Sequence, residues 1–237
     1  MSRLRLSTHL TGASAAVAQA ANQASSHHWP ADLVEATTPL RHLATGTSWL
    51  ATRLREAADQ IVAGAYPHAA QDAASHLPGP MATINDHCRQ INAGWESVAA
   101  HHLQTLTTYT SRHTTSRLTA PLDTAASVIT GARTVAGTAT QQRLWPGDWI
   151  RATEQLRAIA LDLASLTSTI GGVLAFGHLS QPAIAERDAT RAALRRIRAG
   201  YRSLAATWLD TFLHLDAIEV TRAGMPTPND ARPAIGM

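Results

Sequence analysis

Lysine is missing altogether, and every one of the 20 basic residues is arginine. That absence removes the choice of arginine over lysine as a functional signal. With the abundant alanine, it reads as the codon bias of a GC-rich genome. Cysteine is nearly missing too: Cys88 stands alone, which excludes an intramolecular disulfide and any cysteine-rich metal site. A lone thiol fits a reducing compartment, so a cytoplasmic location is expected. No unbroken apolar run reaches the roughly 18 residues that span a bilayer, and no membrane partner is expected. Also lacking are a glycine-rich phosphate loop, a His-Glu-x-x-His pair, paired carboxylates on adjoining turns, and the spacing of helix-turn-helix or zinc-finger readers. No cofactor is implied. The motifs carry no family resemblance.

What the chain does have is a phrase stated twice. Ile91-Asn92-Ala93-Gly94-Trp95-Glu96-Ser97-Val98-Ala99-Ala100 returns as Ile197-Arg198-Ala199-Gly200-Tyr201-Arg202-Ser203-Leu204-Ala205-Ala206, 106 residues later. Trp29-Pro30-Ala31-Asp32 returns as Trp145-Pro146-Gly147-Asp148. Behind it, the seam Leu33, Ala36, Leu40, Leu43, Thr47, Leu50, Leu54, Ala57 returns as Trp149, Ala152, Leu156, Ile159, Leu163, Leu166, Ile170, Val173, 116 residues later. Alternating steps of three and four are the period of helices that pack at a shallow angle. The expectation is an all-α fold, a six-helix bundle built from an internal duplication of a three-helix unit. Residues 1–120 form the first repeat, 121–224 the second, and 225–237 a disordered tail with three prolines.

The N-terminus, with Arg3 and Arg5 before a mildly apolar stretch, has the outline of a signal peptide. Against that reading, Leu10-Thr11-Gly12-Ala13 recurs inside the chain as Ile129-Thr130-Gly131-Ala132, which marks it as part of the fold. Ser7 is the expected N-cap of a first helix over 7–25. Asp32 and Asp148 are placed to face the positive ends of their own helices, with Pro30 and Pro146 in the first turn. Trp29 and Trp145 read as hydrophobic staples. Pro39 predicts a kink in the second helix, not a break. The third helix is expected from about 82 to 117 and the last three near 122–142, 147–176 and 182–222. Gly94 and Gly200 predict a close approach. Either the two third helices cross each other about a pseudo-two-fold axis, or each packs on the first helix of its own repeat.

Candidate site residues are few. Arg187, Arg191, Arg195, Arg198 and Arg202 recur every three or four residues as one stripe, with Arg196 beside it. Their counterparts in the first repeat are Met81, Asn85, Arg89, Asn92 and Glu96, so the shared fold does not need the charge. Such a stripe tracks a phosphate backbone or meets an acidic protein. His68, Asp72 and His76 fall at i, i+4 and i+8 of the segment by which the first repeat is longer. If that segment is helical, they share a face that offers ligands for a divalent metal. His87 and Cys88 diverge by about 100° on a helix and do not form a nucleophile pair. His102, opposite Trp208 in the alignment, is expected to be half-buried and hydrogen-bonded.

The leading functional expectation is a non-enzymatic interaction or scaffold protein that engages a protein partner through exposed helix faces. The alternatives are sequence-nonspecific nucleic-acid binding through the arginine stripe, and a metal-dependent enzyme using the His68–His76 segment.

Overall fold

Apolar residues spaced three and four apart build helix after helix through residues 5–25, 32–103, 105, 117–139, 147–175 and 180–223, the residues that this computed structural model describes. No strand occurs among them. Six helices are long: α1 (Leu6–Ser25), α2 (Leu33–Ala63), α4 (Pro78–His101), α5 (Thr119–Ala139), α6 (Gly147–Val173) and α7 (Gln181–Ala223). The eight-residue α3 (His68–Ser75) lies between α2 and α4. Helix α2 runs through Pro39 without a break. Helix α4 begins at Pro78, earlier than the expected 82, because Pro78 and Pro80 fit a first turn whose N–H groups have no partner to lose. Trp29, Trp145, Leu106 and the tail 225–237 lie outside the described residues.

The seams behave as their spacing requires. Leu33, Ala36, Leu40, Leu43, Thr47, Leu50 and Leu54 of α2 are buried, and so are their α6 counterparts from Trp149 to Ile170. The last pair, Ala57 and Val173, is half-buried in both helices, and the burial passes to Ala58 and Leu174. By length and composition α6 is also apolar enough to cross a membrane. In this fold its seam is covered by α1 and α7.

The order of packing is less obvious. Helix α1 lies on α5 and α6, α5 on α1 and α2, α2 on α4, α4 on α7, and α7 on α6, which closes a cycle. The first helix of each half therefore packs on the second helix of the other half. Two aspartates show why. Asp148, at the start of α6, accepts the Leu6 N–H (2.8 Å), the Ser7 N–H (3.3 Å) and the Ser7 hydroxyl (2.5 Å) at the head of α1. Asp32, before α2, accepts the N–H groups of Leu118 (2.8 Å) and Thr119 (2.9 Å) at the head of α5. Each carboxylate satisfies orphan donors of a distant helix and sits at the positive end of its dipole.

The expectations that Ser7 caps its own helix and that Asp32 serves α2 are thus corrected. Ser7 is a donor inside α1, and Asp32 makes no side-chain cap to α2. The caps also move the register. Aligning Leu6-Ser7 with Leu118-Thr119 pairs Leu6, Leu10, Ala13, Val17, Ala20 and Ala24 with Leu118, Leu122, Ala125, Ile129, Ala132 and Ala136, all buried. That offset is 112 residues, one heptad short of the 119 of the Leu-Thr-Gly-Ala echo. Two helical turns leave the seam in phase, so periodicity alone accepts either.

Candidate functional site

Helices α4 and α7 run antiparallel: the Thr105 N–H just beyond α4 donates to Glu186 near the start of α7, at 3.1 Å. At their crossing, each helix presents a glycine to the other's isoleucine. A Cβ on Gly94 would stand 2.8 Å from Ile197 Cγ1, and one on Gly200 would stand 2.9 Å from Ile91 Cγ1. The two contacts exchange under the 106-residue offset. Beneath them Trp95 and Tyr201, an equivalent pair, are buried side by side, with the Trp95 indole N–H donating to the Tyr201 hydroxyl at 3.1 Å. Burial pushes the Tyr201 phenol well above its ordinary pKa, so it stays neutral.

Because the helix axes come this close, the side chains above the crossing are small and an open groove of about 710 Å³ remains. Its lining is paired by the same offset: Ile91 with Ile197, Ala93 with Ala199, Gly94 with Gly200, Ser97 with Ser203. Two pairs break the likeness. His87 corresponds to Ala193, and Gln90 to Arg196. The His87 imidazole Nε2 and the Ser203 hydroxyl share a 2.8 Å hydrogen bond across the groove. Sequence reading missed this pair, although the signal was there. In an antiparallel crossing that sets Ile91 against Gly200, residue 87 comes one turn back, level with 203.

The arginine stripe forms a crest beside the groove. Arg195, Arg196 and Arg202 are exposed, while Arg187, Arg191 and Arg198 are half-buried. Arg187 is paired with Asp188 at 3.1 Å. Arg191, Arg195, Arg196, Arg198 and Arg202 meet no carboxylate within ion-pair distance among the described residues. The equivalent side of α4 is neutralised within the molecule. Arg89 pairs with Asp86, Glu96 with Arg41 at 3.4 Å, and Asn85 accepts from the Ser48 hydroxyl at 2.8 Å.

The remaining candidates separate. His68, Asp72 and His76 are all exposed on or beside α3. His76 lies 4.0 Å from Asp72, and its ring stacks on His214 of α7 at 5.5 Å between centroids. No three His, Cys, Asp or Glu side chains stand together as metal ligands among the described residues. Cys88 is buried, 3.2 Å from the Thr47 hydroxyl, and burial pushes its thiol up to about 11, so it remains protonated and inert at neutral pH. His102 is half-buried as expected, but its Nδ1 has no hydrogen-bond partner among the described residues. The same is true of the indole nitrogen at its counterpart, Trp208.

Comparison with known proteins finds no family model, no curated relative and no solved structure that matches the chain.

Proposed function

We propose that this protein is a non-enzymatic interaction protein, made of two copies of a three-helix unit, whose docking face is the α4/α7 groove and the arginine crest beside it. The observation that carries the reading is an open groove floored by Ala93, Gly94, Ala199 and Gly200, next to five arginines that no carboxylate among the described residues reaches. The small side chains of Ala93, Ser97, Ala199 and Ser203 leave room for a helix of a partner at close range. The unpaired guanidinium groups favour acidic residues along that helix and set the orientation of encounter. Duplication is supported by three offsets, each joining buried positions to buried positions, and by the glycine and isoleucine contacts that exchange under one of them.

The His87–Ser203 pair does not argue for acyl transfer. A nucleophilic serine needs a base oriented by a third group and free N–H donors for the oxyanion. Ser203 lies inside α7, where backbone N–H groups are committed to the helix, and no carboxylate pairs with His87 among the described residues.

The test is a photo-crosslinking residue placed at Ala93 or Ala199 in the native host, with exposed Ala15 on α1 as the control. One shared adduct from the two groove positions, weakened by Arg195→Glu with Arg202→Glu, is expected. No adduct, or the same adducts from Ala15, contradicts the reading. The unpaired arginines also favour a second reading, nonspecific nucleic-acid binding. It predicts salt-dependent anisotropy with DNA or RNA that falls with Arg191→Ala plus Arg195→Ala, and a flat titration dismisses it.

A further inference from the structure

On the far side of the crest from the groove, α7 and the last turns of α6 enclose a second, smaller cleft of about 230 Å³. Three arginines enter it from one side. Arg191, Arg195 and Arg198 follow one another by four and then three residues, so they share a face of α7. Ser168 faces them from α6, with a hydroxyl that makes no hydrogen bond among the described residues. The floor is Gly171 and Gly172. A Cβ at Gly171 would only graze Leu194 at 3.8 Å, and one at Gly172 would meet nothing within 4 Å.

We propose that this cleft binds a single phosphate group carrying two negative charges. The proposal rests on the reading of the arginine crest as a binding face and names the chemistry of one subsite on it. Three features carry it. First, the charge is uncompensated. The two carboxylates on this stretch are engaged elsewhere, Glu186 by the Thr105 N–H and Asp188 by Arg187. The C-terminal end of α6 contributes about half a negative charge against three full positive ones, so the net demand is for an anion of about two charges. Second, Arg198 Nε is buried without a hydrogen-bond partner among the described residues, a donor that a ligand oxygen would satisfy. Third, the volume falls below the range of roughly 300–1,000 Å³ that holds drug-sized ligands, which suits one phosphate and not a nucleotide.

The first half of the molecule carries different residues at the same place. Where α6 has Gly171 and Gly172, α2 has Arg55 and Glu56. Where α7 has Arg191, Arg195 and Arg198, α4 has Asn85, Arg89 and Asn92. Asn85 and Arg89 are already engaged by Ser48 and Asp86, and Glu56 pairs with Arg53. Helix packing alone therefore does not require three unpaired arginines or a pair of glycines at this position.

Calorimetric titration of the full chain at constant ionic strength tests the proposal, with inorganic phosphate, a phosphoserine peptide and its unphosphorylated form as probes. Saturable binding of phosphate is expected, and the unphosphorylated peptide should not bind this cleft. Tighter binding of the phosphopeptide identifies a modified side chain as the source, and equal or weaker binding identifies free phosphate. Arg191→Gln and Arg198→Gln should each weaken binding by about tenfold, the scale of one charge-assisted hydrogen bond. Arg202→Gln, outside the cleft, should change it less than about twofold. Gly172→Glu, which copies the first half, should abolish it, and an unchanged circular-dichroism melt shows that each variant folds. No saturable phosphate binding, or equal losses from Arg202→Gln and Arg198→Gln, overturns the proposal. If the groove crosslink at Ala199 survives that failure, the subsite alone is wrong. If both are lost, the binding-face reading falls with it.

Discussion

The outward sides of α4 and α7 occupy equivalent positions 106 residues apart, yet they carry different charge. On α4 the sequence of positions is Asn85, Arg89, Asn92, Glu96, and partners on α2 or α4 itself engage Asn85, Arg89 and Glu96. On α7 it is Arg191, Arg195, Arg198, Arg202, with no carboxylate in reach among the described residues. The inward sides hardly differ: Ile91 and Ile197, Gly94 and Gly200, Trp95 and Tyr201 are like residues in like surroundings. Close packing punishes change on the inner side of both helices, and solvent tolerates it on the outer side. The outer faces are therefore where the proposed binding role would set the two halves apart.

The largest effect should come from a buried position where the halves disagree. Gly46 of α2 corresponds to Asp162 of α6. A Cβ on Gly46 would clash with Ile129 Cγ2, a methyl on a β-branched side chain that a helix holds largely to one χ1 rotamer. Gly46→Ala should gain about 1 kcal/mol of helix propensity and still lose stability overall, at or above the usual overpacking cost of about 1–3 kcal/mol. Asp162 is half-buried, and desolvation raises its carboxyl pKa. Its ionised form is therefore disfavoured by the fold at neutral pH, and Asp162→Ala should be neutral or slightly stabilising. Chemical denaturation of the two variants reads the contrast, and equal losses would break it.

The caps should give the next largest effect, and here the halves should agree. Asp148→Ala strands the Leu6 and Ser7 N–H groups, and Asp32→Ala strands those of Leu118 and Thr119. Each should cost about 1–2 kcal/mol. Hydrogen exchange should show fraying at the head of α1 in the first variant and of α5 in the second, far in sequence from the substitution. Fraying of α6 or α2 instead would mean that each aspartate serves its own helix. The smallest effect belongs to the crest. Arg195→Ala with Arg202→Ala should shift stability by no more than about 0.5 kcal/mol in thermal melts, because neither side chain meets a carboxylate among the described residues. A larger loss would assign the crest to the fold.

Much of the helical architecture was legible in the sequence because a seam of period three and four is a direct record of burial. Every seam position from Leu33 to Leu54 and from Trp149 to Ile170 faces inward. The swapped caps were not legible, since local rules assign an aspartate to the nearest helix start, while Asp32 and Asp148 reach donors 86 and 142 residues away. The two possible offsets between α1 and α5 have a related cause, because seven residues are nearly two full turns. Of the arginine stripe the spacing was readable and the pairing was not. Arg187 is engaged by its neighbour Asp188, whereas the rest are unpaired only because the carboxylates on nearby turns look elsewhere.

The reciprocal crossing of α4 and α7 underlies both the fold and the groove, and a pair of double-mutant cycles tests it most directly. Gly94→Ala and Gly200→Ala should each lose about 1–3 kcal/mol in denaturant unfolding. Trimming the facing residue should recover most of the clash, with Ile197→Ala rescuing Gly94→Ala and Ile91→Ala rescuing Gly200→Ala, for a coupling of at least about 1 kcal/mol in each cycle. Crossed combinations, Gly94→Ala with Ile91→Ala and Gly200→Ala with Ile197→Ala, should show coupling near zero. Coupling in the crossed pairs, or in only one of the two facing pairs, would contradict the account.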